Sequence, residues 1–401
     1  MRRIHVRTAS ILGLAMLVGV FGGACSGDSG NVHFDQCPPD VPADECYASR
    51  RDPDSDQVAS AEAIALRYMQ NHRPEGEAWD WRSGVLMFAL TELYRVTGDE
   101  RLRDYYSAWL DHHIAEGYQL VWSDSCPPAI TAVTLLDETP PDDYQRVIDD
   151  TLEYLDDVAP RTAEGGISHN GVLGTKLSIW IDSLFMFGMV LNRYGERAEP
   201  QRLEMMSEQI QIFADVLQDE NGFMRHAQDW PGYDETIHWA RGNSWVVASL
   251  ADYLRIAVES DEPDPAVQGI FEKHVAAILS AQDETGMWQT VMSHREEPDN
   301  YLETSATALF AYGIARAWRY GLLSDDDRRA AQKAAAYIHE NHIVDDVVTG
   351  VSIATDPWQL RSPTGGEDGY LDVPIQDDVN YGVGAMILAL IETSGLPASS
   401  E

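Results

Sequence analysis

The chain has 401 residues, of which 44% are hydrophobic and 23% are charged, and its formal net charge is −38. This composition excludes a wholly disordered, collagen-like or disulfide-dense protein, and so acidic a surface argues against nucleic acid or anionic lipid as a partner. An acidic ligand needs a local arginine here, because only three residues are lysine.

Residues 1–24 are typical of an export signal. Three arginines precede an apolar run, Ile11–Phe21, which is too short for an ordinary membrane-spanning helix. Small residues then lead to Cys25, and this order predicts a bacterial lipoprotein that is anchored by a lipid on Cys25, in the periplasm or at the cell surface. The alternative is a plain secretory signal that is cut near Ala24.

Residues 25–56 are predicted to form a flexible acidic tether, because they are rich in Asp, Ser, Gly and Pro. Cys37 and Cys46 flank a proline-rich loop in this segment. Export to an oxidising compartment favours a disulfide between them. Cys126 is then left as an unpaired thiol.

From residue 57 onward the pattern is helical almost throughout, which predicts one all-α domain over 57–401. Sustained alternation of apolar and polar residues is nearly absent. Apolar residues instead recur at three- and four-residue spacing in the segments 85–94, 178–194, 245–256, 306–320 and 328–343.

A weak internal repeat sets the predicted architecture. The segments around Gly166, Gly222 and Gly286 share acidic residues, a glycine and then apolar or aromatic residues, at spacings of 56 and 64. A period of about 60 residues fits two helices and two loops, so the domain has room for six helical hairpins. Six hairpins closed into a ring form an (α/α)6 toroid with a pocket at one rim. Closure requires the apolar segment 382–392 to meet the first hairpin, and an open α-solenoid is the alternative.

Six segments mix Trp, His, Arg, Asp and Asn, a composition that suits sugar binding because rings stack on C–H faces while polar groups bind hydroxyls. Trp180, two residues before Asp182, is a candidate ring of this kind. The sequence has no phosphate-binding loop, no HExxH zinc helix and no GxSxG elbow in a strand–helix context. The six segments are WSDSCPP, GGISHN, SIWIDSLFM, FMRHAQD, HWARGNSW and NYLETS.

Two aspartates are candidate catalytic groups. Asp182 lies in an otherwise apolar stretch, and burial raises the pKa of a carboxyl group, which suits a general acid near neutral pH. The alternative is that Asp182 caps the helix that follows it. Asp124 begins a similar segment before two prolines and an apolar helix, and the same two interpretations apply to it.

Three further polar residues are candidates for substrate contacts. Arg241 lies between two tryptophans, and its planar fork matches a carboxylate bidentately; the alternative is a surface ion pair. His226 and His169 are placed to bond sugar hydroxyls or water, or else are structural.

Taken in order, these segments resemble the unsaturated glucuronyl and rhamnogalacturonyl hydrolases of glycoside hydrolase families 88 and 105. The resemblance covers residues 80–392, and WARGNSW and NYLETS are its more specific motifs. It also includes SDSCPPAITAVTLLDET, WIDSLFM and QDETGMW.

The resemblance implies an (α/α)6 catalytic domain and an unusual reaction. The substrate is an oligosaccharide left by a polysaccharide lyase, with a 4,5-unsaturated uronic acid at its non-reducing end. The enzyme hydrates the vinyl-ether double bond of that sugar. The acid/base residue of the family matches Asp182, its second essential aspartate matches Asp124, and a pocket histidine matches His226.

The same resemblance implies how the substrate is held. The family's stacking and carboxylate-contacting positions match Trp239, Arg241 and Trp245. No metal and no organic cofactor is expected.

Two other functions stay open from the residues alone. One is a toroid glycosidase acting on saturated sugars with Asp124 and Asp182 as an acid/base pair. The other is a non-catalytic glycan-binding lipoprotein that delivers its ligand to a transporter.

Overall fold

The computed structural model describes residues 50–136, 142–173, 176–228, 236–355 and 367–397. The predicted export signal, the lipid anchor on Cys25 and the Cys37–Cys46 pair lie outside these ranges and stay predictions. Of the predicted tether, residues 50–56 are described. Arg51 is buried in this stretch, and its Nη1 lies 2.9 Å from a carboxylate oxygen of Glu92.

The described residues fall within one compact unit, Val32–Glu401, and form fourteen α-helices. None of these helices is both long enough and apolar enough to cross a membrane. In chain order they are α1 (Asp56–Asn71), α2 (Trp81–Thr97), α3 (Glu100–Glu116), α4 (Pro128–Leu135), α5 (Asp142–Glu153), α6 (Ser183–Met186), α7 (Gly188–Arg197), α8 (Gln201–Leu217), α9 (Ala240–Glu259), α10 (Pro265–Ser280), α11 (Thr304–Arg319), α12 (Asp325–Asn341), α13 (Glu367–Leu371) and α14 (Asn380–Thr393).

Six helices form an inner ring, in which α2 packs on α4, α4 on α7, α7 on α9, α9 on α11, α11 on α14, and α14 back on α2. The helices α1, α3, α5, α8, α10 and α12 lie outside them. A Cβ atom on Gly384 of α14 would lie 3.0 Å from backbone atoms of Val85 and Leu86 on α2. The ring therefore closes where two helix backbones approach closely, which favours glycine at this position. The predicted all-α (α/α)6 toroid is confirmed, and the open solenoid is wrong.

The repeat seen in the sequence is the turn that joins an outer helix to the next inner helix. Gly222 and Gly286 have φ values of 102° and 100°, which favour glycine. Each turn also packs on an outer helix: a Cβ on Gly222 would lie 2.5 Å from the carbonyl oxygen of Lys273 on α10, and one on Gly286 would lie 3.0 Å from the amide of Ala334 on α12. In the first turn the positive φ falls at Gly165.

Short extended segments connect the loops at one rim of the ring. Single bridges join Trp180 to Ala227 and Trp239 to Val291. These pairings hold successive loops side by side above the inner helices. Two antiparallel pairs of two-residue strands complete the rim: β1 (Ile343–Val344) with β2 (Val347–Val348), and β3 (Val351–Ser352) with β4 (Ile375–Gln376).

The opposite ends of the inner helices carry a buried charge network. Asp252 on α9 is 0% exposed, and its Oδ1 lies 3.0 Å from a guanidinium nitrogen of Arg193 and 3.0 Å from one of Arg316. Arg193 reaches Glu92 at 3.3 Å, and Arg316 reaches Glu392 at 3.1 Å. These side chains come from α2, α7, α9, α11 and α14, so the network ties five of the six inner helices together.

Candidate active site

One pocket lies at the rim where the inner helices begin. The space inside it that a water-sized sphere can occupy is about 160 Å³. All eight residues predicted from the sequence line it: Asp124, His169, Trp180, Asp182, His226, Trp239, Arg241 and Trp245. The amino ends of inner helices, which carry partial positive charge, therefore meet the pocket together with the carboxylates of Asp80, Asp124 and Asp182.

Asp182 immediately precedes α6 in the buried wall of the pocket, and the residue is 9% exposed. Its backbone is already helical, with φ −52° and ψ −37°, and its side chain makes no capping hydrogen bond to α6. The capping interpretation is therefore wrong for Asp182. Its carboxylate is directed to the pocket instead.

The charge state of Asp182 differs from the expectation drawn from its apolar neighbours. Burial raises the pKa of this carboxyl, but Nε2 of His226 lies 3.3 Å from Oδ2, and His169 adds a smaller effect. Together the two histidines hold the pKa of Asp182 below its ordinary value. The predicted rise is wrong for this arrangement, because His226 follows Asp182 by 44 positions and its approach is a property of the fold.

Asp124 lies in a 3₁₀ turn, Ser123–Ser125, and helix α4 after it has no side-chain cap. Its Oδ1 lies 3.7 Å from Nε2 of His169. The other ring nitrogen of His169 is 2.9 Å from Oγ of Ser183. Burial lowers the pKa of His169 to about 4, although the charge of Asp182 opposes this shift. His169 is therefore neutral near pH 7, and Ser183 and Asp124 flank its two nitrogens.

Aromatic rings form the pocket walls. The rings of His169 and Trp180 stack, with centroids 4.2 Å apart and planes 10° from parallel. Trp180 in turn meets His226 edge-on at 5.5 Å, and Trp239 lies 4.6 Å from the other side of His226. Trp245 is 1% exposed and packs against Phe185, so it shapes the pocket from beneath.

Arg241 is almost fully buried, at 1% exposure. One terminal nitrogen donates to the carbonyl of Ser352 at 2.9 Å and to the hydroxyl of the same residue; the other donates to the carbonyl of Ile353 at 3.0 Å and to Oγ1 of Thr355 at 2.8 Å. Its guanidinium also lies 4.8 Å from the ring of Trp239. The predicted two-pronged contact with a substrate carboxylate does not fit this arrangement, because both terminal nitrogens are occupied.

The pocket includes residues that the sequence analysis did not select. Asp80, Trp81 and Arg82 line it from the start of α2, and Thr355 lines it from the loop after β3. The segment WDWRSG has the same mixture of aromatic and charged residues as the six segments chosen above, so its composition could have identified the start of α2 as part of the pocket. Nothing in the composition around Thr355 identifies it in this way.

The described residues hold no group of three or more His, Cys, Asp or Glu side chains that is arranged for a metal ion. Cys126 is free and buried. Two of the three aspartates that line the pocket each face an imidazole, Asp182 with His226 and Asp124 with His169.

Comparison with known proteins gives the family of this chain. The family model Glycosyl Hydrolase Family 88 matches residues 56–396. Unsaturated rhamnogalacturonyl hydrolase YesR of Bacillus subtilis (strain 168) is 28% identical over 324 residues, which cover 79% of this chain and 89% of that protein.

Solved structures share the fold. A possible member of family GH105 from Klebsiella pneumoniae superposes with a TM-score of 0.73 at 25% identity, over 89% of this chain and 94% of that one. Unsaturated glucuronyl hydrolase from Bacillus sp. GL1 superposes with a TM-score of 0.64 at 16% identity, over 83% of this chain and 95% of that one. With the family model matched over most of its length, the chain belongs to glycosyl hydrolase family 88 and is a glycoside hydrolase.

Proposed function

We propose that this enzyme removes a 4,5-unsaturated uronic acid from the non-reducing end of lyase-generated oligosaccharides. Asp182 acts as the acid and then the base, and Asp124 is the second carboxylate of the site. The observation that carries this proposal is the buried Asp182–His226 pair, 3.3 Å apart, in a pocket walled by tryptophans. The rhamnogalacturonyl and glucuronyl hydrolases named above support the substrate class.

The reaction follows from the vinyl ether of the substrate, in which C4 and C5 are joined by a double bond and C5 carries the ring oxygen. Asp182 gives a proton to C4, and positive charge develops on C5 and the ring oxygen. Asp124 stabilises this charge across the pocket. Water then adds to C5 and returns a proton to Asp182. The product is a hemiketal that opens and releases the remaining sugar.

Asp182 must be protonated to act as the acid, although its lowered pKa keeps it ionised in the empty pocket. Substrate binding changes this. The uronate brings a negative charge close to Asp182, and the sugar ring displaces water. Both effects raise the pKa of a carboxyl group, and they oppose the lowering by His226. With substrate bound, the pKa of Asp182 therefore moves toward the working pH, which is where a general acid/base is most effective.

A direct assay tests the reaction. The full chain is incubated with unsaturated disaccharides from pectin, rhamnogalacturonan and glycosaminoglycan, and with their saturated counterparts. We expect the ultraviolet absorbance of the double bond to disappear for at least one unsaturated substrate, with no cleavage of the saturated ones. Cleavage of saturated substrates alone would identify a conventional glycosidase, and binding without any product would identify a glycan-binding protein.

Arg82 is expected to contribute to binding of the uronate carboxylate. Its side chain is 44% exposed, lies at the pocket, makes a long contact of 3.5 Å with Asp80, and lies 5.7 Å from the centre of the Trp81 ring. A charged hydrogen bond is worth about 1.5–3 kcal/mol, so Arg82→Gln should lower kcat/KM roughly ten- to hundredfold. The methyl ester of the same substrate is the control, because it lacks the charge.

The Arg82 prediction is contradicted if the acid and its methyl ester lose the same factor. Arg103→Gln is the matched variant, since Arg103 lies on outer helix α3 and pairs with Glu100 at 3.2 Å. It should leave both substrates unaffected.

A further inference from the structure

Tyr370 on α13 does not line the pocket but contacts a residue that does. It is 2% exposed, and its hydroxyl lies 2.5 Å from Nδ1 of His226. We propose that Tyr370 is a positioning residue that holds the His226 imidazole with Nε2 as a hydrogen-bond donor toward Asp182. This inference rests on the proposed acid/base role of Asp182.

The imidazole of His226 has little freedom to tilt. The ring of Trp239 lies 4.6 Å from it at an angle of 38°, and the ring of Trp180 lies 5.5 Å away at 70°. These contacts fix the plane of the ring. The remaining variable is which of its two nitrogens carries the proton.

The Tyr370 hydroxyl can donate to Nδ1 or accept from it. The Asp182 carboxylate on the other side can only accept, so both contacts are satisfied when Tyr370 donates to Nδ1 and Nε2 carries the proton. A neutral imidazole has one N–H donor and one acceptor nitrogen. When the Tyr370 hydroxyl donates to Nδ1, the proton of His226 must reside on Nε2, which faces Oδ2 of Asp182 at 3.3 Å. When the imidazole is protonated, Nδ1 donates to the Tyr370 oxygen and Nε2 still donates to Asp182. In both charge states Asp182 therefore meets a donor.

Without the hydroxyl, the other tautomer becomes accessible. Nε2 would then present a lone pair to Asp182, which disfavours the carboxylate and favours the protonated acid. Tyr370 thus keeps Asp182 able to exist as a carboxylate after it has given up its proton. Among the residues that the structure describes, the titratable groups that face His226 are Asp182, His169 and Tyr370, and Arg241 lies beyond Trp239.

Tyr370→Phe isolates the hydroxyl. The ring of Tyr370 packs in a small apolar cluster with Ile237, Trp239 and Val291, and phenylalanine preserves that packing. Tyr301→Phe is the matched control, because the Tyr301 hydroxyl donates to the carbonyl of Val373 at 3.1 Å. Each variant removes one tyrosine hydroxyl from the same region, and only the first touches His226.

The first readout is the tautomer itself. The full chain is labelled with ¹⁵N-histidine, and the His226 resonances are identified by their loss in His226→Gln. We expect the Nε2–H tautomer in the wild type and in Tyr370→Phe a mixture that includes Nδ1–H, with Tyr301→Phe unchanged. The same tautomer in the wild type and in Tyr370→Phe would overturn the proposal. This measurement needs no substrate, so its failure is separate from failure of the proposed reaction.

The second readout is the pH profile of kcat on the unsaturated substrate. In Tyr370→Phe we expect kcat to fall roughly three- to tenfold, the factor for one lost hydrogen bond, with KM within about twofold. The alkaline limb moves to higher pH, because Asp182 holds its proton more readily. Adding Tyr370→Phe to His226→Gln should change nothing further. An unmoved limb, or additive losses, would contradict action through His226.

Discussion

Asp182→Asn is expected to abolish nearly all turnover while the protein stays folded. An amide has the size of the carboxyl but cannot give a proton to C4 or recover one from water. General acid/base catalysis contributes roughly 10²- to 10⁴-fold, so kcat should fall by a factor in this range. The measurement is the rate of double-bond loss at saturating substrate, with thermal unfolding as the test of folding.

Asp215→Asn is the matched control for that experiment. Asp215 is exposed on outer helix α8, and its amide variant should keep full activity. Wild-type turnover by Asp182→Asn would remove Asp182 from the mechanism. An equal loss in both variants would point to a general effect of charge.

Asp252→Asn is expected to have the largest effect on stability. Asp252 is 0% exposed and lies 3.0 Å from both Arg193 and Arg316. Breaking one member of a buried ion pair costs about 3–5 kcal/mol, because the partner charges stay buried without compensation. The unfolding midpoint in urea should fall accordingly, measured by circular dichroism.

Asp156→Asn is the comparison that separates burial from charge alone. Asp156 pairs with Arg202 at 2.8 Å, but its side chain is 39% exposed. Surface pairs contribute about 0–1 kcal/mol, so this variant should shift the midpoint little. Equal shifts of the urea midpoint for the two variants would show that the buried network contributes no more stability than a surface ion pair.

The buried network also predicts a pH dependence. Burial raises the pKa of Asp252, but Arg193, Arg255 and Arg316 outweigh that effect and hold it below the ordinary value. A carboxyl group with a lowered folded-state pKa stabilises the protein above its unfolded pKa of about 3.9. That contribution is lost as the pH falls through the folded-state value. Wild-type stability should therefore drop in acid more steeply than that of Asp252→Asn.

The fold was accessible from the sequence because its signals are local. Helical spacing depends on neighbours three and four residues apart, and the turns at Gly222 and Gly286 repeat at the period of one hairpin. The pocket residues were accessible for a similar reason, since each segment mixes rings and charges within a few positions. Asp182 and His226 could be chosen separately in this way.

Relations between distant positions were not accessible. The lowered pKa of Asp182 depends on His226, and the Tyr370 contact spans 144 positions. The occupied state of Arg241 depends on Ser352, which follows it by 111 positions. The spacing of residues in the sequence does not predict these contacts, because they depend on how the loops pack against one another at the rim.

In this ring of helices, the buried charge network and the pocket lie at opposite ends. Five inner helices are fastened together by arginines and carboxylates at the end remote from the pocket, so the rim loops do not have to hold the ring closed. Because the loops do not hold the ring together, insertions and residue substitutions in them should cost little folding stability. The architecture therefore lets selection change which sugar is accepted at one end while the other end keeps the protein intact.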